Sequence, residues 1–225
     1  MGAVGGKSFS EWKKDWKSKY NITVLSPDDD GNMDKLTSSQ RAQLEKHLDA
    51  MYKEFPILKQ MPLTMDLVKN TLNEDGENVG ALYDSGSIDI TADLFNQEKY
   101  DENLKDTWYA GVLTSFHPKG TNSYSTLDHE LGHAIVDYIV RQQYNQNSTI
   151  SDFGKWYNDA SKQFTDSVVQ DASKGLNNSK ALSISHYATY DSGETISEAI
   201  SDYMANGSRA NPYSIAIVKE LKKRM

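Results

Sequence analysis

The sequence predicts an α+β protein, and three observations carry the prediction. Apolar residues recur at helical spacing near the N-terminus, alternate from residue 62, and return to helical spacing from about residue 126. The order helix, helix, strands, helices segregates the two element types, which is an α+β layout. At 225 residues the chain has room for one sizeable domain or at most two small ones. We expect one domain, with a helical extension over residues 1–35 and the main body over residues 36–225.

The elements follow in order. "FSEWKKDWKSKYN" places Trp12, Trp16 and Tyr20 at successive i,i+4 steps, a short helix whose aromatic stripe docks onto the core. "SPDDDGN" (26–32) is turn chemistry, and its triple aspartate lacks the alternating spacing and closing glutamate of an EF-hand loop. A second helix from about Thr37 to Phe55 puts Leu44, Leu48, Met51, Tyr52 and Phe55 on one face, and Pro56 ends it. "PLTMDLV", "NVGALYDS" and "SIDITAD" alternate between turn residues and predict three short strands, with "YAGVLTSFH" as a fourth. Helices then follow over about 126–143, 151–172, 193–206 and 212–224.

Composition narrows the function classes. The net charge of −8 argues against nucleic acid, whose binders need a basic face. With no cysteine, neither a disulfide nor a thiolate metal site is possible, so any metal must sit on His, Asp or Glu. No stretch approaches the roughly 18 apolar residues of a membrane-spanning helix, and no apolar core of signal-peptide length opens the chain. Gly6 stands where a myristoylation signal requires Ser or Thr.

"STLDHELGHAIVDYI" (125–139) carries the chemistry. His129-Glu130-Leu131-Gly132-His133 matches H-E-x-x-H. On a helix the two histidines fall about 40° apart, so both imidazoles can reach one metal. Leu127, Leu131, Ala134, Ile135, Tyr138 and Ile139 gather on the opposite side, giving an apolar anchor and a polar face toward a cleft. A catalytic zinc takes three protein ligands and keeps a position for water, whose pKa it lowers toward about 7. Glu130 is placed to remove that water's proton. The third ligand is not a histidine of the metzincin spacing, because Val136 and Ile139 occupy the glycine and histidine positions. A carboxylate candidate lies in "SISHYATYDSGETISEAISDYMANG" (183–207), a loop and then a helix closing at Asn206-Gly207. Glu194, Glu198 and Asp202 share one face of that helix.

H-E-x-x-H followed by a helix bearing E-x-x-x-[D/E] resembles the gluzincin zinc peptidases. The nearer likeness is to the catalytic domain of anthrax lethal factor and to zinc-peptidase-like domains encoded in prophages near head-protein genes. It rests on "FHPKGTNSYSTLDHELGHAI", "HYATYDSGETISEAISDY" and, more loosely, "NPYSIAIVKELKK", about a third of the chain. The resemblance implies a zincin-like fold, with a small mixed sheet of about four strands packed on the active-site helix and a mainly helical C-terminal part. It implies one Zn2+ per chain, held by His129, His133 and Glu194, with Glu130 as general base. Tyr187 stands seven residues before Glu194, the family spacing, and would donate to the oxyanion. Glu198 would orient a ligand imidazole from behind. A thermolysin-type register competes, with Glu198 as ligand and Asp202 behind it. Asp191 stands where relatives commonly have Asn. His117 and His186 are candidate cleft-lining residues.

The function this implies is a zinc-dependent endopeptidase acting on a protein or peptide, with no nucleic-acid or membrane partner, in a cytoplasmic or phage-associated setting. Two alternatives remain open at the level of sequence. One is a catalytically inactive zinc-binding structural or binding module of a phage or prophage protein. The other is a toxin or effector protease acting on a host protein.

Overall fold

The computed structural model describes residues 7–72, 76, 78–145 and 153–225. The chain divides into two compact units, one up to Phe95 and one from Asn96 onward. Helix α1 (Phe9–Tyr20) thus belongs with the sheet of the first unit.

In the first unit, Ser8 and Glu11 form a capping box that starts α1. Trp12, Trp16 and Tyr20 are buried, as the stripe predicts. Trp16 Nε1 donates to Glu45 at 2.9 Å and the Tyr20 hydroxyl to Asp49 at 2.5 Å, which ties α1 to helix α2 (Ser38–Glu54). Thr37 and Gln40 cap α2, and Leu44, Leu48, Met51 and Tyr52 are its buried face. The sheet contains the three expected strands β2 (Leu63–Leu67), β3 (Ala81–Asp84) and β4 (Ser87–Ile90). A fourth, β1 (Ile22–Val24), was not foreseen. The order is β1-β2-β4-β3, with β1–β2 and β2–β4 parallel and β3–β4 antiparallel. Ser85 and Gly86 both take positive φ, the backbone that a two-residue hairpin turn requires.

The second unit is mainly helical. It holds α3 (Gln97–Glu102), a ribbon of β5 (Thr107–Tyr109) and β6 (Val112–Thr114), α4 (Ser125–Asn145), α5 (Phe153–Ser173), α6 (Ser192–Asn206) and α7 (Pro212–Lys222). "YAGVLTSFH" is therefore not one strand. Ala110 and Gly111 take positive φ and fold it back on Thr107–Tyr109 as an antiparallel hairpin. Helices α4, α5, α6 and α7 supply the core, with Leu131, Ile135, Val168, Ile196, Ile200, Ile217 and Leu221 buried. Asp202 closes one corner: it accepts from Asn206 Nδ2 and from the backbone N–H of Asn211, both at 2.8 Å, which fixes the start of α7.

Candidate metal centre

The site lies within the second unit, where α4 and α6 cross. Gly132 makes the crossing close, since a Cβ there would lie 3.1 Å from Cα of Ser197 and 3.2 Å from Cδ1 of Ile200. We expect Gly132→Val to force the helices apart and cost about 1–3 kcal/mol, read from denaturant unfolding. The close approach also explains why α4 departs from a simple amphipathic wheel. Its polar face is enclosed, with Asp128, His129 and Glu130 all buried.

Helix α6 begins at Asp191, whose Oδ1 accepts from the backbone N–H of Glu194 at 2.9 Å. This N-cap sets the first turn and so aims Glu194. Asp and Asn cap equally well. Asp191→Ala should lower stability by about 1 kcal/mol and Asp191→Asn should leave it nearly unchanged, in the same unfolding measurement.

Three donor atoms converge. His129 Nε2 lies 3.0 Å from His133 Nε2 and 2.9 Å from Glu194 Oε2, and His133 Nε2 lies 3.4 Å from the same oxygen. These three residues form a group able to hold a metal ion. Donor atoms about 2.0–2.2 Å from a tetrahedral zinc are separated by roughly 3.3 Å, so the observed edges fit. Glu194 Oε2 is buried and makes no hydrogen bond of acceptable geometry, despite its 2.9 Å approach to His129. The oxygen and the two imidazole nitrogens face one shared space, with the two Nε2 atoms within hydrogen-bond reach of each other. His133 and Glu194 keep 28% and 18% of their side-chain surface, so the cluster is reached from their side.

Glu198 occupies the far side of His129. It is fully buried, and its Oε1 lies 2.8 Å from His129 Nδ1 and 3.1 Å from His117 Nδ1. Its Oε2 accepts from the Ser185 hydroxyl at 2.8 Å. A carboxylate can only accept, so Nδ1 of His129 carries a proton toward Glu198 and Nε2 is the nitrogen that faces the cluster. With its oxygens so engaged, Glu198 stands outside the group of three, and Asp202 holds Asn206 and Asn211 instead.

The charges reinforce one another. Burial opposes ionisation of Glu194, but His129 and His133 outweigh it and hold the carboxyl far below its usual range. Burial likewise opposes ionisation of Glu198, and His117 and then His129 bring it down to about 2. Burial works to lower the His129 pKa, yet Glu194 and Glu198 raise it well above the ordinary imidazole value. An anionic pocket around a buried imidazole favours a cation there.

Tyr187 sits on a short turn, Tyr187–Thr189, whose backbone is pinned to the segment after β6. Its N–H donates to the Phe116 carbonyl at 3.0 Å, and that of His186 to the Ser115 carbonyl at 2.9 Å. The Tyr187 ring stacks on His129 at 5.5 Å and on Phe116 at 5.2 Å. Burial, then the charges of Glu194, Glu130 and Glu198, push its phenol pKa up strongly, so it stays protonated. His117 stacks flat on Tyr100 and backs Glu198. His186 packs on Tyr109 of the ribbon, with ring centroids 3.6 Å apart.

Sequence reasoning missed Ser185 and the packing role of Gly132. No local signal marks Ser185, a loop serine. Gly132 does carry one, because glycine in a helix interior costs about 1 kcal/mol and is kept where backbones approach closely. Comparison with protein-family models, curated proteins and solved structures finds no match for this chain.

Proposed function

We propose that this protein is a zinc-dependent endopeptidase of the gluzincin type. The observation that carries the reading is the convergence of His129 Nε2, His133 Nε2 and Glu194 Oε2. They are the three residues to which the resemblance assigns the metal, and three protein donors leave a position for water. When bound, zinc supplies Lewis acidity, making water ionise near neutral pH and polarising a peptide carbonyl.

The chain's own groups do the remaining work. Glu130 follows the first histidine on α4, is buried, and lies near enough for its charge to bear on the Tyr187 phenol. It takes a proton from water and passes it to the leaving amine. Tyr187, protonated and held by Phe116 and His129, donates to the oxyanion as the carbonyl carbon becomes tetrahedral. Glu198 fixes the His129 tautomer.

The substrate is an extended peptide that pairs its backbone with the ribbon. Two-stranded ribbons leave both edges unpaired, and residues 107–113 are exposed throughout, Trp108 at 76%. The stretch Thr107–Thr114 carries no charge, and it leads directly into Ser115 and Phe116, which hold the Tyr187 turn. Among the described residues no helix is long and apolar enough to cross a membrane.

A peptide-library digest read by mass spectrometry tests the activity, with Glu130→Gln as control. Cleavage by the parent chain and none by the variant supports the reading. Equal, uncut libraries from both oppose it.

A further inference from the structure

Glu198 is the meeting point of three elements, and the two groups behind it belong to no part of the reading above. His117 comes from the segment after β6, stacked face to face on Tyr100 with ring centroids 5.3 Å apart and planes 3° from parallel. The Tyr100 hydroxyl is itself held at 2.9 Å by Thr121 Oγ1. Ser185 comes from the turn before Tyr187 and is completely buried. Its hydroxyl donates to Glu198 Oε2 at 2.8 Å and accepts the backbone N–H of Ala188 at 3.0 Å.

We infer that His117 and Ser185 are positioning residues that act through Glu198, fixing the His129 imidazole and locking the Tyr187 turn to the same carboxylate. The inference rests on the metal-centre reading. A fully buried carboxylate with one partner could rotate and turn His129 with it. Three donors from separate elements leave Glu198 a single orientation, so Nε2 of His129 is aimed before any metal arrives. Ser185 extends this order to the turn. Its hydroxyl bridges Glu198 and Ala188, the residue after Tyr187, so the oxyanion donor and the ligand-orienting carboxylate are held as one piece. Burial sharpens the effect, because a donor removed from Glu198 cannot be replaced by bulk water.

The test measures zinc affinity by competition with a coloured chelator, alongside the visible spectrum of the Co2+ form and thermal unfolding of the metal-free chain. His117→Phe keeps a ring on Tyr100 and removes the donor; Ser185→Ala removes the other. Each is expected to weaken zinc by up to about 10-fold, less than loss of Glu198 itself, and to shift the Co2+ bands. His117→Gln restores a side-chain N–H toward Glu198 and should recover most of the loss. Arg224→Ala serves as the control for general destabilisation. Arg224 ties α7 to Ser167 and Asp171 of α5, away from the cluster. It should lower the unfolding temperature without moving zinc affinity or the Co2+ spectrum. If His117→Phe and Ser185→Ala bind zinc as tightly as the parent with unchanged Co2+ bands, the positioning role is overturned while the metal centre stands. If affinity falls in all variants in proportion to lost stability, Arg224→Ala included, the positioning role is likewise overturned. A parent chain that binds no zinc overturns both.

Discussion

Replacing Glu130 by Gln should reduce peptide hydrolysis by about 10²–10⁴-fold, the usual weight of a positioned general base, while zinc content stays at one per chain. Gln has the shape of Glu but cannot accept a proton, so the variant separates chemistry from binding. Glu130 is not in the converging group of His129, His133 and Glu194, so metal retention is part of the expectation. Turnover by chromogenic peptide assay and metal content by mass spectrometry check the two halves separately. Loss of zinc together with activity would place Glu130 among the ligands and remove it as the base.

The second large effect distinguishes the two carboxylates of α6. Glu194→Ala removes one of three donors and should abolish tight zinc binding. Glu194 also pairs with His129 and His133, so the metal-free chain should lose some stability, but less than on loss of Glu198, because Glu194 keeps 18% of its side-chain surface and its Oε2 makes no hydrogen bond. Glu198→Ala should do the reverse. It strands His129 Nδ1, His117 Nδ1 and the Ser185 hydroxyl in a buried space. Breaking a buried charged network of this kind costs about 3–5 kcal/mol, whereas zinc affinity falls by about 10–100-fold rather than vanishing. Chelator competition and urea unfolding of both variants give a crossed pattern. The thermolysin-type register demands the opposite for zinc, with Glu198→Ala stripping the metal and Glu194→Ala keeping it.

The elements that were legible in the sequence are those whose pattern is local. The helices α4 and α6 announce themselves by period and end signals, and Gly207 closes α6 with φ of 58° as the Asn-Gly pair suggests. The strands β2, β3 and β4 alternate, and turn residues separate them. What escaped has no local signature. β1 is three residues long, follows α1 directly, and exists because it pairs in parallel with β2, some forty residues on. The β5–β6 hairpin turns on Ala110-Gly111, a weaker signal than Asn-Gly or Asp-Gly. Helix α3 is six residues of mostly polar sequence. The division at Phe95 and Asn96 falls in polar sequence without a Pro- or Gly-rich linker to mark it.

The same distinction runs through the site. His129, Glu130 and His133 stand within one helical turn and a half, so spacing alone relates them. Glu194 and Tyr187 lie some sixty residues away, and only the resemblance linked them to the histidines. His117 stands at the end of a strand pattern, and its partner Glu198 is 81 positions distant. Ser185 has no pattern at all: it matters through Glu198 and Ala188, contacts that only the folded chain brings together.

An anomalous-scattering map of zinc-loaded crystals, recorded on either side of the zinc absorption edge, tests the three-donor centre most directly. The account predicts one peak bonded to His129 Nε2, His133 Nε2 and a Glu194 carboxylate oxygen at about 2.0–2.2 Å, with Glu198 still on His129 Nδ1. A peak ligated by Glu198, or one surrounded by four protein donors, would contradict it.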